Sequence, residues 1–308
     1  MSTSPSGLGL VELHRHLDGS LRPATLAQLA AAAGLEVPDP LTFTAGMGLH
    51  EALARFRFTV SLLQDPASLR RVASEMCEDA AAEGIDGLEI RFAPQLHGIG
   101  AQAAVEAVLE GIDGRAGLIL CGLYGETPNV LIEHLMIGRR LDGVVGIDLA
   151  GGPAPGHAYG LADYARPFAM ARDLGLGRTV HAGEGRPPAE IRTAIELLGA
   201  QRIGHGTTLL DDPAVLELVL ERGVTIEACP TSNVHTGVVD RVADHPLGRW
   251  LQLGVRCTVC TDNTLLSDVT LPEELDRVRA VEGVDDDAID TLMANARAAL
   301  FGGPGSSA

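Results

Sequence analysis

Residues 178–206 read RTVHAGEGRPPAEIRTAIELLGAQRIGHG. Two short apolar runs, 178–181 and 202–205, each end in histidine, and a helical segment separates them. That alternation gives parallel strands joined by crossover helices. It extends along the chain, with further runs at 10–17, 87–92, 117–123, 144–150, 224–229 and 255–261. Eight runs are the number that closes an α/β barrel of the (β/α)8 TIM type. Punctuation between them agrees. Asp65-Pro66 caps a helix that places Leu69, Val72, Ala73, Met76 and Ala80 on one face and stops at Gly84. Asp212-Pro213 and Gly223 bracket another, and 23–33 followed by Gly34 is a third. The longest stretch without a strand, 34–86, reads as a helical excursion over one barrel mouth. Within it, 51–64 carries Leu53, Phe56, Val60 and Leu63 at helical spacing. This segment is either a lid or an ordinary packing helix.

The 308 residues suit one barrel domain spanning 10–301, with the first nine residues and the Gly/Ser/Pro-rich tail 302–308 expected to be disordered. A composition of 46% apolar and 21% charged residues is that of a folded globular chain. Lys and Arg total 23 against 41 Asp and Glu, a net charge of -18 that repels nucleic acid and anionic membranes. The expected partner is a small molecule. No run approaches the roughly 20 apolar residues of a membrane span, and the start lacks signal-peptide character, so a cytoplasmic location is expected. Nothing in the sequence specifies an oligomeric state. Five scattered cysteines argue against a disulfide framework. Cys257 and Cys260 lie three apart in a strand and face opposite sides, which makes them core thiols.

The chemistry gathers at strand ends. His14 and His16 lie two apart and point to the same side of the first strand, so their rings converge, on a metal or on hydrogen-bonding partners alone. His181, His205 and Asp262 close the fifth, sixth and eighth runs, at the C-terminal rim where barrel enzymes assemble catalytic groups. Any one of them could be a capped strand end. Four strands delivering such residues to one rim point jointly to function. Three imidazoles and a carboxylate suit zinc with a position open for water, which then ionises near neutral pH. Glu184, three residues beyond His181, is either a proton donor beside the centre or a helix-start carboxylate ahead of Pro187. The H-E-x-x-H, P-loop and dinucleotide-binding patterns are missing, and so is the H-x-E with P-C-x-x-C signature of cytidine-type deaminases.

The segments VELHRHLDGSLRP (11–23), EIRFAPQLH (89–97), GIDLAG (146–151), TVHAGE (179–184), RIGHG (202–206), CPTSN (229–233) and TDN (261–263) together resemble the adenosine deaminase family, almost end to end. The resemblance implies a metal-dependent amidohydrolase-type barrel with one Zn2+ per chain held by His14, His16, His181 and Asp262. It further implies that Asp262 hydrogen-bonds the attacking hydroxide, that His205 orients it, and that Glu184 protonates purine N1. His16, Asp18, Gly151 and Asn263 would contact substrate, with Gly151 N–H on N3 and Asp18 near the ribose. The implied reaction converts adenosine or 2′-deoxyadenosine to inosine and ammonia. Two departures bear on substrate: Asn263 replaces a commoner aspartate at N7, and Gly152-Pro153 replace an acidic pair after DLAG. The alternatives are a related 6-aminopurine (adenine or aminodeoxyfutalosine) and, in another class, an inactive nucleoside-binding or signalling protein. Asp18 and the absence of an obvious Arg or Lys cradle favour an uncharged nucleoside over its 5′-phosphate.

Because N7 is an acceptor and an asparagine amide always carries N–H, 7-deazaadenosine should leave a donor unpaired. Its kcat/KM should fall by the equivalent of roughly 1 to 3 kcal/mol, and equal rates on both nucleosides would remove Asn263 as the N7 reader.

Overall fold

The computed structural model describes residue 7 and residues 9–302. The segments expected to be disordered, 1–9 and 302–308, lie outside the described residues except for 7, 9 and 302. Eight strands form one parallel sheet in sequence order: β1 (Leu10–His16), β2 (Ile85–Phe92), β3 (Gly117–Leu123), β4 (Val144–Ala150), β5 (Gly177–Ala182), β6 (Arg202–His205), β7 (Thr225–Ala228) and β8 (Cys257–Val259). The architecture is a (β/α)8 TIM barrel. Helices α1 (Pro23–Ala33), α2 (Leu49–Ser61) and α3 (Pro66–Glu83) form the excursion between β1 and β2. Around the outside follow α4 (Ala101–Ile112), α5 (Asn129–Gly138), α6 (Ala165–Asp173), α7 (Ala189–Glu196), α8 (Pro213–Arg222), α9 (Pro230–His235), α10 (Leu247–Gln252), α11 (Leu271–Val278) and α12 (Asp286–Ala299).

Local chemistry explains the ends. Asp65 accepts from the amides of Ala67 and Ser68 to start α3, which stops at Gly84 in the left-handed region. Asp212 and Gly223 do the same for α8. The first and last strands differ from their sequence runs. Leu17 leaves β1 for a 3-10 turn, and β8 is only three residues long because the chain must turn sharply at Asp262. β8 and β1 meet through the isolated bridge Arg15–Asp262, where His16 N–H donates to Asp262 O and Asp262 N–H donates to His14 O, both at 2.8 Å. The ring is closed at residues expected from the sequence to belong to the site.

The apolar core lies largely between sheet and helices, while the barrel interior is polar. Cys257 belongs to that main core, whereas Cys260 packs with Val11, Leu13, Cys229 and Ala296, so both are core thiols. All five cysteines are free and buried. At the barrel floor the Phe301 ring lies 3.7 Å from the Arg202 guanidinium carbon, and a Cβ on Gly177 would overlap it. No helix among the described residues is long and apolar enough to cross a membrane.

Helices α3 and α4 pack closely because Gly111 has no side chain; a Cβ there would overlap the carbonyl oxygen of Arg70. Gly111→Ala should therefore cost about 1–3 kcal/mol by overpacking, read as a lower denaturant midpoint with an unchanged slope.

Candidate active site

β1 is irregular where it matters. Its register with β2 shifts between Glu12 and Arg15, and the His14 N–H is taken by the Glu12 carboxylate at 3.0 Å. The other Glu12 oxygen accepts from Thr261 N–H and Oγ1, at 3.0 and 2.7 Å. One buried carboxylate thus fixes the backbone on both sides of the seam. Beyond it, His205 and Asp262 both adopt left-handed backbone, with φ of 67° and 63°. Few residues other than glycine adopt it, aspartate and histidine more readily than most, and such positions concentrate at functional sites.

These bends bring the candidate residues together. The His14 ring centroid lies 4.6 Å from that of His181 and 5.2 Å from those of His16 and His205. His16 Nε2 is 3.3 Å from His181 Nε2, and Asp262 Oδ1 lies 3.5 Å from His14 Nε2 and 3.4 Å from His16 Nε2. Tetrahedral bonds of roughly 2.0–2.1 Å place neighbouring ligand atoms about 3.4 Å apart. The donor set therefore fits one ion, and a second observation agrees. His14 Nε2 is buried with no hydrogen-bond partner, while its Nδ1 donates to Glu227 Oε2 at 2.7 Å. His181 Nδ1 is likewise held by Asp148, at 3.1–3.2 Å. A ring nitrogen pinned by a carboxylate leaves the other one bare for a metal. A different triple, His14, His205 and Cys229, is also close enough for a shared ion. It is the poorer set, because burial holds the Cys229 thiol well above its ordinary range and its Sγ faces Glu227 O at 3.7 Å.

Asp148 and Glu227 are tied to each other. The buried Arg91 guanidinium donates to Asp148 Oδ2 at 3.0 Å, to Glu227 Oε2 at 2.9 Å and to Leu13 O at 2.6 Å. Arg202 reaches Glu227 Oε1 at 2.7 Å and Glu89 Oε2 at 2.6 Å from below. Burial would raise both carboxyls, yet Asp148 is held below its ordinary value by His181 and Arg91, and Glu227 well below by Arg91 and Arg202. Asp262 is similarly depressed against burial by its histidine neighbours, and Ser232 donates to its Oδ2 at 2.6 Å. None of Glu227, Asp148, Arg91, Ser232 or Asn233 was singled out from the sequence. For Arg91, Asp148 and Glu227 the signal is a charged residue inside a mainly apolar strand, as in EIRF, GIDLA and TIEA.

The remaining candidates face one cavity of about 340 Å³ at the C-terminal rim, lined by His16, Asp18, Gly151, His181, Glu184, His205, Asp262 and Asn263 among others. Glu184 Oε1 accepts from Thr236 Oγ1 at 2.9 Å and Asn233 Nδ2 at 3.3 Å. This is not a helix-start contact. Asp18 is buried, and its Oδ1 lies 3.1 Å from His97 Nε2; His97 Nδ1 lies 2.6 Å from Leu63 O. Nδ1 can donate to that carbonyl, and Nε2 stands within ion-pair distance of the carboxylate. The His97 pKa is raised although burial opposes this, because the Asp18 contact outweighs burial. Asn263 Oδ1 is packed against Gly19 without a partner, so the amide nitrogen is the end left for a ligand. Helix α2 walls the cavity with Leu49, Ala52, Phe56, Arg57 and Val60, which sets the excursion over the mouth.

Comparison with known proteins follows this geometry. The family model described as adenosine deaminase matches residues 9–302. An adenosine deaminase from Clostridium perfringens strain SM101 is 36% identical over 312 residues, covering 94% of this chain and 93% of that protein. Among solved structures, an adenine deaminase from Arthrobacter aurescens superposes with a TM-score of 0.86 at 26% identity, covering 96% of this chain and 94% of the other. An Arabidopsis ADAL complexed with IMP superposes at 0.84 and 26%, covering 95% and 92%.

Removing Arg91 would leave two buried carboxylates facing each other across the floor of the site. Arg91→Met should cost about 3–5 kcal/mol of stability and lower metal content in the folded fraction. Elemental analysis and denaturant titration read the two effects separately.

Proposed function

Because the chain belongs to the adenosine deaminase family and is therefore a metal-dependent hydrolase of a cyclic amidine C–N bond in adenosine-like purines, we propose that it deaminates adenosine and 2′-deoxyadenosine with one zinc ion per chain. The observation that carries this reading is the orphaned, fully buried His14 Nε2 beside His16, His181 and Asp262. His14, His16, His181 and Asp262 would hold the ion. When bound, it supplies a water that ionises near neutral pH.

The chain's own residues do the rest. Glu184 passes a proton to purine N1, which makes carbon 6 electrophilic. His205 presents N–H to the attacking oxygen, and Asp262, kept ionised by its neighbours, accepts a hydrogen bond from the same group. Gly151 N–H meets N3, Asn263 Nδ2 meets N7, and Asp18 stands near the ribose. The apolar wall made by α2 excludes bulk water from the purine. Loss of ammonia then yields the 6-oxopurine. An inactive binding protein would have no use for a Glu184 carboxylate aimed into the cavity beside His205, 3.8 Å away.

Two observations favour a second reading, in which the substrate carries a 5′-phosphate. Asp18, whose charge would repel phosphate, has the His97 ring 3.1 Å away, and that imidazole's pKa is raised by the contact. Arg57 lines the cavity mouth from α2, is exposed, and has no ion-pair or hydrogen-bond partner among the described residues. It can meet a phosphate directly.

Three outcomes are expected. Purified protein should contain about one zinc per chain, and active protein free of divalent metal would refute the assignment. Glu184→Gln should keep zinc and fold but lose about 10² to 10⁴ in kcat. On substrates, kcat/KM for adenosine should exceed that for adenosine monophosphate and be unchanged in Arg57→Ala. A higher value for the monophosphate that falls about tenfold in Arg57→Ala, one charge-assisted contact's worth, selects the second reading instead.

A further inference from the structure

Behind the residues assigned above runs a row of buried polar groups with no role in that scheme. Its direction is set by a backbone amide. Leu247 N–H donates to His245 Nδ1 at 3.2 Å, and a backbone N–H can only donate, so that nitrogen is bare. His245 stays neutral, since burial pushes its pKa down to about 3, and its single ring proton must sit on Nε2. Nε2 faces Asn233 Oδ1 at 3.3 Å. With its oxygen accepting there, Asn233 turns its amide nitrogen to His205 Nδ1 at 3.1 Å and Glu184 Oε1 at 3.3 Å. Flipping the amide would set N–H against N–H at His245 and oxygen against carboxylate at Glu184, so the order from Leu247 fixes the Asn233 orientation. His245, Asn233 and His205 are 3%, 0% and 2% exposed, and the Trp250 ring meets His245 edge-on at 5.2 Å. The row is closed to bulk solvent.

We propose that His245 and Asn233 are positioning residues that lock His205 in the tautomer protonated on Nε2 and direct the acidic proton of Glu184 to its second oxygen. A neutral imidazole whose Nδ1 accepts a hydrogen bond has its proton on the other nitrogen. That nitrogen is the one left free to serve the cavity, as a donor to the attacking oxygen and not an acceptor from it. On Glu184, Oε1 is filled by Asn233 and by Thr236 Oγ1 at 2.9 Å, which leaves Oε2 to carry the proton destined for the substrate ring. One asparagine thus sets the hydrogen-bonding sense of two groups on different strand ends, His205 closing β6 and Glu184 after β5. A wrong tautomer would leave the cavity shape, the metal residues and the substrate contacts in place and still remove the donor.

This inference rests on the hydrolytic reading of the site, but its test does not depend on which purine is the substrate. The test uses full-length, metal-loaded protein labelled with ¹⁵N-histidine, with His205 assigned by the signal lost in His205→Gln. Long-range ¹H–¹⁵N spectra without substrate should show His205 protonated on Nε2 and bare at Nδ1. In Asn233→Asp, which replaces the donor by an acceptor, the proton should move to Nδ1. There kcat should fall about 10–100-fold, the usual range for a group that orients another, with KM and metal content held. His245→Gln, whose amide can still donate to Asn233, should keep the parent spectrum and most of kcat, whereas His245→Phe should not. A parent His205 protonated on Nδ1 overturns the proposal. So does an Asn233→Asp spectrum and kcat like the parent's, or equal behaviour of His245→Gln and His245→Phe. If Asn233→Asp fails to fold, the two His245 variants decide by the same spectrum.

Discussion

A positive charge buried in the centre of the barrel is the constraint on which the site depends. Arg91 reaches the carboxylates of Asp148 and Glu227 and the carbonyl of Leu13, and it is fully buried. Placing a guanidinium there costs several kcal/mol of lost hydration, offset only by well-formed contacts to opposite charges. Those contacts have a directional effect that an apolar filling would lack. Each carboxylate can face only one way while bonded to Arg91, and each then dictates which nitrogen of His181 or His14 turns to the cavity. Arg202 repeats the arrangement one layer lower, against Glu89 and Glu227. The polar barrel interior is a scaffold for ring orientation.

Strain is the second element. His205 and Asp262 hold a left-handed backbone that few non-glycine residues adopt. Both sit where a strand must end abruptly so that a side chain turns over the mouth. Hydrogen bonds on either side hold them: Gly206 N–H to Ala182 O at 3.1 Å, and the two bonds between Asp262 and β1. The conformations persist because the barrel over-determines them.

Most of the fold was legible. Eight apolar runs alternating with helical segments, and the Asp-Pro and Gly pairs around helices, follow from local rules that act within a few residues, so 65–84 and 212–223 could be bounded closely. Strand ends were less legible. β8 is cut to three residues by the turn at Asp262, and the seam beyond it is held through Thr261 by Glu12, 249 residues away. The candidate site divides in the same way. His14, His16, His181, His205, Glu184 and Asp262 stand at strand ends, where position alone suggests exposure to a cavity. Arg91, Asp148 and Glu227 are charges within strands whose other residues are mainly apolar, where such a charge could equally have faced solvent; only barrel closure decides which face is inside. Asn233 and His245 were invisible because their significance is the order of donors and acceptors in space. Arg57 was overlooked because the path of the excursion, unlike its helicity, is a tertiary property.

The seam between β1 and β8 bears on the order in which the site can come into being. Two of the proposed ligands lie at positions 14 and 16 and another at 262, so a chain emerging from the ribosome exposes its first pair of imidazoles long before their partners exist. The bridge Arg15–Asp262 cannot form until nearly the whole barrel has been synthesised. Contacts of such sequence separation form late, after the loop between them has been brought together at an entropic cost. The complete set of metal-facing groups is therefore an end product of folding, unavailable to any N-terminal fragment. Loading with the ion would then report that translation and barrel closure are finished.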